Sequence, residues 1–194
     1  MSSHHVVREQ QEPALIIADL TSSNIKIIEP LLEWSPTIIV LEECLEKAVS
    51  WGIKVDGVVV SKENLNKAKK LLEEQEPIHY LVNEKELITE AIQFLIKGKY
   101  EAVNVIVDAN LLFSELVPFT NNLQIVIHNE VQRCYYTAGH FHKWVVEGTT
   151  FGTFPALSQV ETNGLANNND KWVAEKEGRI SLSAKEPFWA IEYL

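Results

Sequence analysis

Apolar positions in the first two thirds of the chain follow two alternating rhythms. Short unbroken runs, ALIIADL (14–20), IIV (38–40), VVV (58–60), IHYLV (78–82), AVNVIVD (102–108) and LQIVIH (123–128), have the length and β-branched content of buried strands. Between them apolar residues recur at helical spacing. Ile25, Ile28, Leu31 and Leu32 predict a helix over about 24–34, with Thr21, Ser22 and Ser23 as caps and an interruption at Pro30. Leu45, Ala48 and Val49 predict one over 42–51, stopped by Gly52. Leu65, Ala68, Leu71 and Leu72 predict one over 62–74, capped by Ser61, and Leu87, Ala91, Phe94 and Leu95 one over 84–97, ended by Gly98. A short helix over 110–117 precedes Pro118.

Six strands alternating with five helices predict an α/β fold with a mostly parallel, Rossmann-like sheet over residues 14–129. After Asn129 helical periodicity stops. VQRCYYT, FHKWVVEG, TFGTFPAL, QVETNG, KWVAEKEG, RISLSA and FWAIEYL are short alternating runs punctuated by glycine, and they predict a small all-β sandwich domain over 130–194. NNND (167–170) reads as a hairpin tip, and residues 1–13 as a flexible tail.

Composition narrows the function classes. The net charge is −10, from 27 acidic against 17 basic residues, which argues against nucleic acid or an anionic membrane as partner. A nucleotide remains compatible, because backbone N–H groups, a few cations and Mg²⁺ suffice to hold one. Two isolated cysteines, Cys44 and Cys134, no apolar leader and no apolar run long enough to span a bilayer lead to the expectation of a reduced, cytoplasmic protein. Neither a dinucleotide fingerprint nor a P-loop is present.

The candidate chemistry gathers around residues 37–65, where two strands end in polar and acidic residues. Ligands of open α/β sheets sit at strand C-termini, which singles out Glu42, Glu43, Ser61 and Glu63. Two readings stand for Glu42, Glu43, Glu63 and Asp108: a metal cluster at the strand tips, or acids favouring helix N-termini beside the caps Ser61 and Asp108. His140 and His142, alternating on one strand, read as a solvent-facing pair rather than zinc ligands, since no third ligand has suitable spacing. His4 and His5 read as solvated tail residues.

GIKVD (52–56), GTFPALSQV (152–160), ETNGL (161–165) and ISLSA (180–184) occur in the order and spacing of GIKPD, SLFPLS, TTxGL and ISTSN elements. In these elements and in its α/β-then-β layout the chain resembles the thiamine pyrophosphokinase family. That family transfers a pyrophosphoryl group from ATP to thiamine with Mg²⁺. The resemblance implies nucleotide-binding positions at Glu42, Glu43 and Asp56, catalytic positions at Ser61, Glu63 and Glu86, a metal at Glu63 if anywhere, and thiamine-binding positions at Ser181, Ser183 and Trp172. It also implies a homodimer through the β domain, with the apolar end Phe188–Leu194 suited to an interface, and a small-molecule ligand of thiamine or nucleotide type.

The chain departs from the family at every phosphate and metal element. Leu41-Glu42-Glu43-Cys44 stands where the family has ADGG, and Val60-Ser61-Lys62-Glu63-Asn64 where it has GDFDS. Asn83–Leu87 replaces KDxTD, residues 108–119 contain no Arg, no His and no paired glycine where the family has GGRxDH, and Ala184 replaces the asparagine of STSN. Pyrophosphoryl transfer rests on positioning and charge neutralisation. The expectation is therefore a family-like protein whose catalysis is lost or very weak and which serves as a binding or assembly module. The alternative is an active kinase with a Mg-ATP site rebuilt from Glu42, Glu63, Glu86 and Asp108.

Overall fold

A computed structural model describes residues 12–21, 25–107, 113–157, 159–169 and 171–194. The parallel half is formed by β1 (Ala14–Ile17), β2 (Ile38–Leu41), β3 (Gly57–Val60), β4 (His79–Val82), β5 (Ala102–Ile106) and β6 (Gln124–His128). Every residue of the first three strands is buried, which explains their lack of polar alternation. Helices α1 (Ile25–Leu32), α2 (Glu42–Ser50) and α3 (Leu65–Leu71) pack on one face, through Ile28, Leu45, Ala48 and Ala68. Helices α4 (Leu87–Lys97) and α5 (Phe113–Leu116) pack on the other, through Ala91, Ile92, Leu95, Phe113 and Leu116.

Element boundaries shift where local chemistry competes with periodicity. Gly52 stops α2 as expected, at φ +72, a left-handed conformation that glycine adopts without strain. At the end of α4 the left-handed residue is Lys99, at φ +61, and not Gly98. The third helix starts at Leu65 rather than Lys62 and closes in a 3-10 turn over Glu73–Gln75. The fourth starts three residues late because Asn83 Oδ1 accepts the backbone N–H groups of Lys85 and Glu86 and folds that segment into a turn. Pro30 lies inside α1. The proposed caps Ser22 and Ser23, Asp108 and residues 109–112 lie outside the described residues, as do His4 and His5.

The remaining strands are β7 (Gln132–Thr137), β8 (His140–Val145), β9 (Thr150–Phe154), β10 (Glu161–Asn163), β11 (Leu165–Asn168), β12 (Lys171–Ala174), β13 (Gly178–Ser183) and β14 (Phe188–Tyr193). They do not all belong to a sheet of their own. Asn129 Oδ1 accepts the N–H groups of Val131 and Gln132, making a tight turn, and β7 then pairs antiparallel with β6. The result is an eleven-stranded sheet in the order β11-β12-β9-β14-β7-β6-β5-β1-β2-β3-β4. The expected boundary at 129–130 is thus a turn inside one sheet, and one apolar core holds Ile125 and Ile127 together with Cys134, Trp189 and Ile191.

A second sheet, β10-β13-β8, covers the antiparallel half. Phe141, Val145, Ile180 and Leu182 from it meet Phe151, Phe188 and Ala190 of the long sheet. The sandwich architecture is present, built on a shared sheet. Between the two layers the chain turns at Gly139, at φ +124, where an added Cβ would stand 2.7 Å from the carbonyl oxygen of Ala184. β14 lies between β7 and β9 with Phe188 to Glu192 all buried. The apolarity of the C-terminal segment is therefore spent inside the fold and gives no support to an interface there. Among the described residues no helix is long and apolar enough to cross a membrane.

Candidate functional site

β1 lies between β2 and β5, and the helices change face between α3 and α4. That topology opens a crevice at the strand C-termini, the usual ligand position in open α/β sheets. A cavity of about 690 Å³ is found there, lined by Ala18 after β1, Leu41 and Glu43 at the end of β2, the segment Lys85–Thr89, and Glu115, Pro118 and Phe119. Glu43, Glu86 and Glu115 bring carboxylates to it, against Lys85 as the lining cation. No group of three or more potential ligands suited to a metal ion occurs among the described residues.

Glu42 turns away from this cavity. Its Oε2 accepts the backbone N–H of Ser61 at 2.8 Å, the Ser61 hydroxyl at 3.0 Å and the Asn64 side-chain amide at 3.1 Å. Asn64 N–H in turn donates to Ser61 Oγ at 3.4 Å. Burial alone would raise the Glu42 pKa, but the donations from the Ser61 backbone, Asn64 and the Ser61 hydroxyl outweigh it and hold the carboxyl below its ordinary value. Glu42 therefore acts as a clasp between the start of α2 and the loop after β3. It also lines a smaller hollow of about 220 Å³ between α2 and α3, where Lys67 pairs with Glu46 at 2.6 Å.

The other expected residues are scattered. Glu63 is exposed and lines neither of these spaces. Asp56 stands before β3, at the opposite end of the strand from Ser61, where it accepts the Ile38 N–H at 2.9 Å and pairs with Lys54. Glu42 and Glu86 line different spaces. Glu42, Glu63 and Glu86, three of the four acids that a rebuilt Mg-ATP site would bring together, line no common cavity, and the fourth, Asp108, lies outside the described residues.

On the β half, Ser183 and Ser181 lie on β13 opposite His140 and His142 of β8. Ser183 Oγ lies 3.2 Å from His140 Nδ1, and both residues line an open cavity of about 700 Å³ with Glu161 and Lys185. Both histidines are exposed, as the alternation predicts. Trp172 is not with the serines: it sits on β12 and packs against the sandwich core.

Sequence reading missed a second polar cluster. Lys143 Nζ donates to Tyr135 Oη and pairs with Glu192, and Tyr135 Oη donates to Glu192 at 2.9 Å. Its signal was available: Lys143 shares the inward alternation of Phe141 and Val145, and Glu192 that of Phe188 and Ala190. Asn64 and Asn83, the amides that arrange the loops beside the crevice, carried no comparable signal.

No family model matches the sequence, and no curated protein matches it. Solved structures do. Thiamine pyrophosphokinase from Bacillus subtilis superposes with a TM-score of 0.68 at 11% identity, over 93% of this chain and 98% of that one. The enzyme from Candida albicans matches at 0.65 and 8% identity, over 96% and 90% of the two chains, and the yeast enzyme at 0.59 and 8%, over 98% and 88%. Identities this low carry the fold and not the chemistry. The chain has the fold of the thiamine pyrophosphokinases, in a divergent sequence.

Proposed function

We propose that this is a thiamine pyrophosphokinase-like protein in which pyrophosphoryl transfer from ATP to thiamine is lost or very weak, and which serves as a binding or assembly module. The observation that carries this reading is the clasp. Glu42 and Ser61 occupy positions that the resemblance gives to phosphate and metal binding, and together with Asn64 they satisfy one another. Mg²⁺ requires near-octahedral oxygen ligands. An oxygen already accepting from Ser61 and Asn64, a serine hydroxyl donating to it, and an exposed Glu63 do not fit that requirement. Around the neighbouring cavity, Glu43, Glu86 and Glu115 oppose a polyphosphate.

The same proposal puts a small-molecule ligand of thiamine type at the β half, where Ser183 and His140 line an open cavity of about 700 Å³. The packed position of Trp172 argues against its stacking on that ring. The homodimer and a cytoplasmic location belong to the same proposal; light scattering giving twice the 22.0 kDa chain mass tests the dimer.

A second reading, an active kinase, draws on Glu43 and Glu86 lining one cavity at the strand C-termini. Incubation with Mg-ATP and thiamine, followed by fluorescent detection of thiamine diphosphate, separates the two. Turnover of ordinary enzymatic size overturns the main reading. A calorimetric titration with Mg-ATP that gives no heat overturns the second.

A further inference from the structure

Three residues stand in a row across the outer face of the second sheet. Glu161 on β10 is opposite Ser183 on β13, and Ser183 is opposite His140 on β8. Residues directly opposite in antiparallel strands share a face, and Ile180 and Leu182 of β13 take the core side, so this row faces outward. All three line the cavity of about 700 Å³, and so does Lys185, two residues beyond Ser183. Two strand spacings, about 10 Å, separate Glu161 from His140 along the row.

The row is held in place by the fold. Thr137 Oγ1 donates to the His140 carbonyl oxygen at 2.6 Å and accepts the His140 N–H at 3.0 Å. The Ala184 N–H donates to the Gly139 carbonyl oxygen at 2.8 Å, which ties the start of β8 to the end of β13. Ser183 Oγ and His140 Nδ1 lie 3.2 Å apart and satisfy one another. The floor of the cavity is therefore pre-formed.

Its charges are not satisfied in the same way. Glu161 and Lys185 bring opposite signs to one cavity, yet they form no ion pair with each other, and neither side chain has a partner among the described residues. Lys54 with Asp56 and Lys67 with Glu46 do pair, although three of these four side chains are well exposed. Glu186, the residue after Lys185, lines a separate hollow of about 150 Å³ and not this cavity.

We propose that this cavity takes a ligand carrying both charges, a quaternary ring nitrogen towards Glu161 and a phosphate monoester towards Lys185, as in thiamine monophosphate. The inference rests on the small-molecule reading of the β half and sharpens its ligand from a cation to a zwitterion. The Lys185 ammonium pairs with the phosphate oxygens. With the Ser183 hydroxyl donating to Nδ1, the neutral His140 ring carries its hydrogen on Nε2 and has it to donate to the same oxygens. Glu161, at the far end of the row, pairs with the ring cation. Thiamine lacks the phosphate and engages Glu161 alone.

Isothermal titration of the full chain with thiamine monophosphate and with thiamine, at neutral pH and equal ionic strength, provides the test. Glu161 and Lys185 are exposed, and an exposed ion pair is worth up to about fivefold in affinity. Thiamine monophosphate is therefore expected to bind about fivefold more tightly than thiamine. Lys185→Met should bring the two ligands to equal affinity, whereas Glu161→Gln should weaken both by about fivefold. Thiamine binding as tightly as the monophosphate, a preference that survives Lys185→Met, or unchanged affinities in Glu161→Gln each overturns the zwitterion and leaves the small-molecule reading standing. If neither ligand binds at millimolar concentration, the inference and that reading fall together. Both variants alter exposed side chains and should keep the parent's unfolding temperature; if either misfolds, the two titrations of the unaltered protein decide alone.

Discussion

Glu42 and Ser61, nineteen residues apart, are joined twice: one carboxylate oxygen accepts both the backbone N–H and the hydroxyl of Ser61. Removing that carboxylate leaves a loop N–H, a hydroxyl and the Asn64 amide without their acceptor. Glu42→Ala should lower stability in urea by about 2 kcal/mol. Glu63→Ala, on an exposed side chain, should stay within about 0.5 kcal/mol. A Glu42→Ala variant as stable as the parent refutes the clasp.

The same pair makes a test of metal binding. Ser61→Asp restores the acid that the family resemblance places there, but sets it against Glu42 Oε2. If the position is a clasp, like charges should destabilise the variant by about 1–2 kcal/mol at neutral pH, and Mg²⁺ should not recover the loss. Full recovery by millimolar Mg²⁺ in thermal unfolding would mark a latent metal site instead.

Lys143 and Glu192 tie the second sheet to the long one. Truncating one partner strands the other at low exposure, so Lys143→Met or Glu192→Ala should cost about 3 kcal/mol. The double variant Lys143→Met/Glu192→Leu should cost less than the sum of the two single changes, because no unpaired charge remains. Additive losses in a double-mutant cycle would show that the pair is not coupled.

His128 gives the fold a pH dependence of defined sign. Its pKa is pushed down from 6.5 to about 4, first by burial and then by the charges of Arg133 and Lys143. Between those values the unfolded chain binds a proton that the folded chain refuses. Stability is therefore full above about pH 6.5 and falls towards pH 4, by up to about 3 kcal/mol. Glu42 has a lowered pKa, so its contribution is present above its unfolded value of 4.5 and lost below it. Urea unfolding from pH 7 to 4.5 should show the histidine slope, and His128→Gln should flatten it. An unchanged slope excludes His128 as its source.

The parallel half of the fold is legible in the sequence because strands such as β2 and β3 are buried on both faces and written mostly in β-branched residues. The candidate site is less legible. That Glu42 faces Ser61 and Asn64 while Glu43 faces the cavity depends on where two adjacent helical positions point, which no motif records. β11, with the sequence LANN, carries too little apolar signal to be read as a strand and forms only by pairing with β12. FWAIEYL read as a sticky end because an apolar run serves an interface and a central strand equally well, and its neighbours β7 and β9 settle the matter. The change of pattern after Asn129 was visible, but not that the sheet would continue through a turn there.

The continuous sheet also decides where the molecule is vulnerable to unwanted strand pairing. Its two rims are β4 and β11, four residues each, and such brief rims are poor templates for another chain. The longer strands β6 and β7 each have one edge covered by the other. A proteolytic cut at Asn129 that let the halves part would turn both into open edges lined by Ile127 and Cys134, and each fragment would then be a seed for aggregation.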